Sequence, residues 1–189
     1  MSKKTVIGAL ICGALIGLGI SYIAAVAVDK TGQPDFCMSC HEMKPMGETF
    51  KYSVHGGNNP QGFAAHHCTD CHLPHNSLAG YLIAKGISGT RDFLAHIGVM
   101  KMVDFKENFY EMKHYVYDSG CLHCHEGIKE PEKAIGLSED IKEIHQKFYW
   151  AKKNEGKEVS CVDCHNDNTM THFAHPNLLE ALSKDSLSK

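Results

Sequence analysis

Four copies of one short pattern, Cys-x-x-Cys-His, carry the clearest chemistry in this sequence of 189 residues. Two thiols three positions apart, followed directly by an imidazole, are the groups that attach a c-type haem and bind its iron. A disulfide framework gives no reason for a histidine after every second cysteine, and paired cysteines in zinc sites do not require one. The repetition therefore predicts four covalently bound haems, attached through Cys37 and Cys40, Cys68 and Cys71, Cys121 and Cys124, and Cys161 and Cys164.

The histidine of each motif is the first candidate for an iron ligand. In the second, third and fourth motifs this residue is His72, His125 and His165. In the first motif His41 is followed two residues later by Met43, so an imidazole and a thioether compete for the iron. Met46 is a lesser rival nearby.

A haem that only transfers electrons has two axial ligands, and ten of the fourteen histidines are not the final histidine of a motif. His145 lies on a predicted helix that starts at the N-cap Ser138 and ends near residues 154–156. On that helix His145 shares one stripe with Ile141 and Phe148, so its ring can lie against a porphyrin. The alternative is a solvated histidine on the helix surface.

Two further histidines are predicted as distal ligands from their neighbours. His55 precedes Gly56-Gly57, where the backbone can approach a flat ring closely. His175 precedes a proline, with His172 as its rival. The remaining histidines are expected at the surface or beside the ligands: His66, His67, His75, His96, His114 and His123.

The first thirty residues predict a membrane anchor. Lys3 and Lys4 precede Val6–Val28, 23 residues without a charge, which is long enough to span a bilayer. The basic residues before the span predict that the helix crosses a bacterial inner membrane with its N-terminus in the cytoplasm. The haem domain is then in the periplasm, where c-type haems are attached. A cleaved signal peptide is the alternative, since Ala25-Val26-Ala27 resembles a cleavage site. Cys12, the one cysteine outside the motifs, lies within the span.

The predicted architecture is mostly α-helix and coil. Residues 1–30 form the cytoplasmic start and the transmembrane helix, and residues 31–189 form a small multihaem cytochrome c domain with four haems as its core. Helices are predicted over 78–97 and near 105–117, and no alternating strand pattern of useful length occurs. The net charge of −3 gives no indication of nucleic-acid binding.

Several stretches together resemble the NapC/NirT family of membrane-anchored tetrahaem cytochromes, which includes the NrfH and CymA types. They are the anchor, the four motifs, "SVHGGN" from Ser53, "CTDCHLPH" from Cys68, "AKGISGTRD" from Ala84 and "CVDCH" from Cys161. "CHEM" is similar to the first site of the NrfH type, the asparagine loop after His55 to the NapC type, and "YLIAK" to CymA. The branch of the family therefore stays open.

The resemblance implies oxidation of menaquinol or ubiquinol and delivery of electrons to a periplasmic terminal reductase, such as a nitrite or nitrate reductase. It implies that Met43, not His41, binds the first iron, that His145 is a distal ligand, and that Lys85 and Asp92 form the quinol site. These two residues are seven apart and share one helix face, although the spacing alone favours a solvated Lys and Asp on a surface helix. A complex or homo-oligomer through the anchor also fits the family.

Two other functions compete with a quinol dehydrogenase. A terminal oxyanion reductase would need an open catalytic haem, but the sequence contains no Cys-x-x-Cys-Lys motif and has little chain left to build a pocket. An anchored electron wire without a quinol site is the other alternative.

Overall fold

The computed structural model describes residues 2–60, 62–166, 175 and 177–187, and every regular element in these ranges is helical. The α-helices are α1 (Lys3–Lys30), α2 (Pro34–Cys37), α3 (Lys44–Phe50), α4 (Thr69–His72), α5 (Leu78–His96), α6 (Phe105–Tyr110), α7 (Asp118–Cys124), α8 (Glu139–Ile144), α9 (Ala151–Asn154) and α10 (Leu178–Leu187). Turns of 3₁₀ helix lie at His41–Met43, Met112–His114, Glu126–Lys129, Pro131–Lys133 and Cys161–Asp163, and a π-helical turn, His145–Trp150, joins α8 to α9. Within these ranges, the β pairing consists of one isolated bridge between Gly56 and Ala64. The predicted helix-and-coil architecture is confirmed.

Helix α1 has the length and surface of a membrane span. Its 28 residues rise about 42 Å at 1.5 Å per residue, which exceeds the hydrocarbon thickness of about 30 Å. No side chain of the helix is buried against the rest of the chain, so its apolar surface is available to lipid. The predicted span Val6–Val28 lies wholly inside α1, and Cys12 is exposed on it.

Two predicted helices are confirmed, and for the second the predicted cap, Ser138, is confirmed as well. Ser77 starts α5 by accepting a hydrogen bond from the Gly80 amide at 3.1 Å, and the helix ends one residue before the predicted Ile97. Ser138 starts α8 by accepting from the Ile141 amide at 3.4 Å. The helical path from there continues through the π-helical turn to Asn154, as the sequence predicted.

The helix predicted over 105–117 is wrong in its second half. Asp104 caps α6 by accepting from the Lys106 amide at 2.9 Å, but the helix ends at Tyr110 and a short turn follows. The backbone must leave the helix there because Tyr117 donates its amide to the Cys71 carbonyl at 2.9 Å. Contact with the second motif therefore overrides the local helical tendency.

Few side chains are fully buried in the described residues. Phe109 of α6, with Leu178 and Leu182 of α10, forms the one core cluster, and α10 packs on α3 beside it. Many large apolar side chains remain exposed. This pattern fits a domain in which the side chains supply a small part of the buried apolar surface and porphyrins supply the rest.

Candidate functional site

The first two motifs lie side by side at the carboxyl end of α1. The Cys37 and Cys68 thiols lie close enough that each shifts the pKa of the other. The Cys68 amide also donates to the Gly32 carbonyl at 3.0 Å, which ties the second motif to the residues that follow the anchor. The first motif therefore lies close to the end of a helix of membrane length, and the second motif is in direct contact with the same region.

The second and third motifs are joined by backbone contact between α4 and α7. Gly120, in α7, lies directly against the Asp70 carbonyl, and a Cβ at this position would overlap that oxygen. The His75 amide donates to the Ser119 hydroxyl at 3.0 Å and strengthens the same junction. A glycine is required here by close approach, not by an unusual backbone angle.

The carboxylate of Asp118 joins the third and fourth motifs. It accepts hydrogen bonds from the Ser160 hydroxyl at 2.7 Å, the Cys161 amide at 2.9 Å and the Tyr149 hydroxyl at 2.6 Å. Burial acts to raise the pKa of Asp118, but these donors together with Lys153 outweigh it and lower the pKa to about 2. The Cys121 and Cys161 side chains meet beside this carboxylate. The four motifs thus follow one another in space in the same order as in the sequence.

Three motif histidines each face one of the three predicted distal ligands. The ring centroids are 6.5 Å apart for His72 and His175, 6.2 Å for His125 and His55, and 6.1 Å for His165 and His145. A metal–imidazole bond is about 2 Å long and a ring nitrogen lies about 1.2 Å from its centroid, so two imidazoles on opposite sides of one ion have centroids about 6.3 Å apart. The spacing of all three pairs fits iron held between two imidazoles.

Backbone carbonyls fix the tautomer of three of these histidines. The Nδ1 atoms of His72, His145 and His175 lie 2.9, 2.8 and 2.9 Å from the carbonyl oxygens of Tyr115, Ile141 and Met46. A proton on Nδ1 that is donated to a carbonyl leaves Nε2 as the free lone pair, which is the arrangement found in metal-binding histidines.

Burial lowers the pKa of His72 and lowers that of His175 to about 4, so both rings are neutral at pH 7. A neutral ring has the lone pair that a metal requires. His172, the rival of His175, lies outside the described residues.

The first motif differs from the other three. The Nε2 atom of His41 lies 3.3 Å from the Glu42 carboxylate, and Nδ1 of His96 lies 3.1 Å from the same carboxylate. The two rings have centroids 5.9 Å apart, but their planes are inclined by 62° and Glu42 bridges them. The Nε2 atom that a motif histidine would offer to iron is thus beside a carboxylate, and Met43 is half-buried in the same turn. No local sequence pattern predicts the contact of His96 with this motif.

Lys85 and Asp92 lie on α5 close enough to the first motif that both act electrostatically on the Cys37 thiol. Partial burial lowers the pKa of the Lys85 ammonium, whose Nζ lies 6.0 Å from the centre of the Tyr81 ring. Burial by neighbouring atoms also raises the pKa of Asp92, although its side chain is exposed at the surface. Both shifts move the pKa values of this ammonium and this carboxyl toward neutral pH, where such groups can exchange protons.

Helix α5 also has exposed apolar side chains, of which Ile83 and Ile87 lie on the face opposite Lys85 and Asp92. Ile83 is 64% exposed, Ile87 57% and Phe93 60%. Val99 and Met100, after the end of the helix, are exposed as well. Exposed apolar side chains at these positions are available for contact with a membrane or another protein.

Comparison with known proteins identifies related cytochromes. The family model described as "NapC/NirT cytochrome c family, N-terminal region" matches residues 1–177. The chain is 30% identical to the tetraheme c-type cytochrome CymA of Shewanella oneidensis, over 93% of this chain and 92% of CymA. It is 35% identical to the cytochrome c nitrite reductase subunit NrfH of Nitratidesulfovibrio vulgaris, over 60% of this chain and 64% of NrfH.

Two further matches extend over most of the chain. The cytochrome c-type protein TorC of Escherichia coli strain K12 is 27% identical over 99% of this chain, which spans only 40% of the length of TorC. Among solved structures, a chain of the cytochrome c nitrite reductase NrfHA complex bound to the HQNO inhibitor matches with a TM-score of 0.51 and 27% identity. That match covers 83% of this chain and 86% of the other.

The fold and the four motifs define a tetrahaem c-type cytochrome of electron transport, with haem bound covalently. Within that class, the chain belongs to the NapC/NirT cytochrome c family.

Proposed function

We propose that this cytochrome is a membrane-anchored quinol dehydrogenase that passes electrons through its haems to a periplasmic terminal reductase. The observation that carries the proposal is that Lys85 and Asp92 of α5 both act electrostatically on Cys37 of the first motif, on a helix that also has exposed apolar side chains. A quinol is a lipid-soluble substrate, so its site must be open to the bilayer. In this proposal residues 1–30 anchor the chain, with the N-terminus in the cytoplasm, and residues 31–189 form the periplasmic domain.

The haem ligands in this proposal are the facing histidine pairs and one thioether. His72 with His175, His125 with His55, and His165 with His145 hold the second, third and fourth irons, which is supported by the ring spacings. Met43 holds the first iron, which is supported by the carboxylate beside the Nε2 atom of His41. When bound, the haems supply one-electron oxidation and a path for electrons from the first motif to the fourth.

Lys85 and Asp92 have distinct roles at the quinol. The Lys85 ammonium donates a hydrogen bond to a quinol oxygen and orients the ring. The Asp92 carboxylate accepts a proton as the quinol is oxidised, and its raised pKa favours that transfer. The alternative, a solvated Lys and Asp on a surface helix, is disfavoured because burial lowers the pKa of Lys85 and raises that of Asp92.

The partner in this proposal is a separate reductase in the periplasm, reached by a complex or an oligomer that the anchor can help to form. The resemblance to a chain of the NrfHA complex, whose name includes a nitrite reductase, supports a partner of that kind. A nitrate reductase is the other candidate. A role as terminal reductase is disfavoured because the second, third and fourth motif histidines each face a second imidazole.

The test uses the purified full-length haem protein in detergent, without a partner. A menaquinol analogue such as menadiol should reduce the haems, and HQNO should inhibit this reduction but not reduction by dithionite. If dithionite reduces the haems but menadiol does not, the protein is an anchored electron wire without a quinol site. Rapid reoxidation of the reduced protein by nitrite would instead identify a terminal reductase.

A further inference from the structure

A cavity of about 440 Å³ lies at the carboxyl end of α1, between the anchor and the first two motifs. Its lining includes Gln33, Asp35 and His67. It adjoins α2, the short helix that ends in Cys37. The cavity therefore lies where a molecule from the bilayer would first meet the haem domain.

His67 is held in this cavity by a carboxylate from the anchor. Its Nε2 atom lies 3.0 Å from Oδ1 of Asp29, in the last turn of α1. The other oxygen of Asp29 accepts a hydrogen bond from the Gln33 side chain at 3.1 Å, so the carboxylate is fixed on both sides. Gly32 leaves room for the imidazole, because a Cβ there would come within 3.2 Å of the His67 ring.

The second ring nitrogen of His67 is available to take a proton. Its Nδ1 atom lies 3.8 Å from the nearest oxygen of Asp70, which is too long for a hydrogen bond but close enough to stabilise an imidazolium. The side chain is 25% exposed. A histidine whose one nitrogen donates to a carboxylate while the other is free is the arrangement of a general base.

This pair is electrostatically connected to the proposed quinol site. Asp29 acts on the Lys85 ammonium, and Lys85 in turn acts on the Cys37 thiol of the first motif. The charged groups near His67 are Asp29 from α1, Asp35 from α2 and Asp70 from α4.

We infer that His67 is a proton acceptor for the quinol, with Asp29 as its positioning residue. The inference rests on the proposed quinol oxidation and adds to it a second acceptor beside Asp92. Oxidation of one quinol releases two electrons and two protons and leaves a quinone. The haems, when bound, would accept the two electrons, while one proton passes to the Asp92 carboxylate and the other passes to Nδ1 of His67. The imidazolium that forms lies between the carboxylates of Asp29 and Asp70 and then releases its proton to water.

The test replaces His67 with glutamine, whose amide can still donate to Asp29 but cannot take a proton. Stopped-flow reduction by menadiol should show a kcat about tenfold or more lower in H67Q, the lower end of the effect of general bases. The KM for menadiol, the affinity for HQNO and the haem content should match the wild type. Reduction by dithionite should be unaffected. H114Q, at an exposed histidine outside the cavity, is the matched control and should behave as the wild type.

A second variant separates proton transfer from support of the fold. D29N keeps the size of the side chain but removes the charge that stabilises the imidazolium, so its kcat should fall by less than that of H67Q. An unchanged kcat in H67Q, while D92N is impaired, would overturn this inference and leave quinol oxidation standing. Equal losses of menadiol-driven and dithionite-driven transfer in H67Q would overturn it as well, since they indicate a structural role. A wild-type protein that menadiol cannot reduce would overturn both proposals.

Discussion

The imidazole of His145 faces that of His165 with centroids 6.1 Å apart and planes inclined by 22°. His145 belongs to the π-helical turn between α8 and α9, and its Nδ1 lies 2.8 Å from the Ile141 carbonyl. The wider π-helical turn changes the direction in which the side chains that follow α8 point. The π-helical turn therefore coincides with the place where the His145 ring lies opposite the fourth motif.

Replacing His145 with methionine should raise the potential of one haem. A thioether stabilises the reduced iron relative to an imidazole, so we expect an upward shift on the order of 0.1 V, within the range of about 0.8 V that axial ligands span. Spectroelectrochemical titration of the full-length protein measures the shift. H114M, at an exposed histidine, should leave all potentials unchanged, and an identical titration for H145M would remove His145 from the ligand set.

Replacing Met43 with histidine should act in the opposite direction at the first haem. The new imidazole can fill the coordination position but lowers the potential, which makes electron uptake from quinol less favourable. Reduction by menadiol should slow while dithionite still reduces every haem. If M43H leaves the titration curve of the protein unaltered, Met43 is not a ligand, and His41 becomes the candidate.

Replacing Asp92 with asparagine should lower the quinol-driven rate about tenfold or more without loss of haem, because an amide cannot accept the proton. Since the pKa of Asp92 is raised above its ordinary 3.8, the active carboxylate form disappears as the pH falls through that raised pKa. The wild-type rate should therefore decline on the acidic side. D92N should lose this part of the pH profile. D104N, at the cap of α6, provides a carboxylate control away from the site.

Replacing Asp118 with asparagine should destabilise the haem protein by about 2 kcal/mol at pH 7. This follows from a folded-state pKa of about 2 against an ordinary 3.8, for a side chain that is 15% exposed. A depressed carboxyl pKa contributes stability above the unfolded-state pKa, and that contribution is lost as the pH falls from about 4 to about 2. Denaturant unfolding at pH 7 and pH 3 should show the difference between D118N and the wild type shrinking at the lower pH.

Replacing Gly120 with alanine should lower the yield of correctly matured protein. The new methyl group overlaps the Asp70 carbonyl, so α4 and α7 must separate. Mass spectrometry of the mature chain and its melting temperature are the measurements. G89A is the matched control, because a Cβ there meets nothing within 4 Å, and in α5 alanine is the better helix former.

The sequence indicated the residue types of the candidate site better than it indicated the contacts between residues distant in the chain. The three distal histidines were predicted from a helical stripe, a glycine pair and a proline, and the structure brings each of them opposite a motif histidine. The end of α6 was predicted wrongly because the Cys71 carbonyl that Tyr117 reaches is distant in the sequence. The Asp118 junction, the His96–Glu42 contact and the Asp29–His67 pair all join residues far apart in the chain, and no local pattern marks such contacts.

The packing of α10 on α3 has a consequence for secretion of the chain. His175, which faces His72, has its Nδ1 2.9 Å from the carbonyl of Met46, a residue 129 positions away in the sequence. If the chain is exported from its N-terminus, as the proposed localisation implies, the second motif is delivered long before His175. The proposed second haem site would then have only one of its two histidines until the residues next to α10 arrive. Premature release of the chain, or loss of its C-terminal residues, would leave that site incomplete at a point close to the anchor.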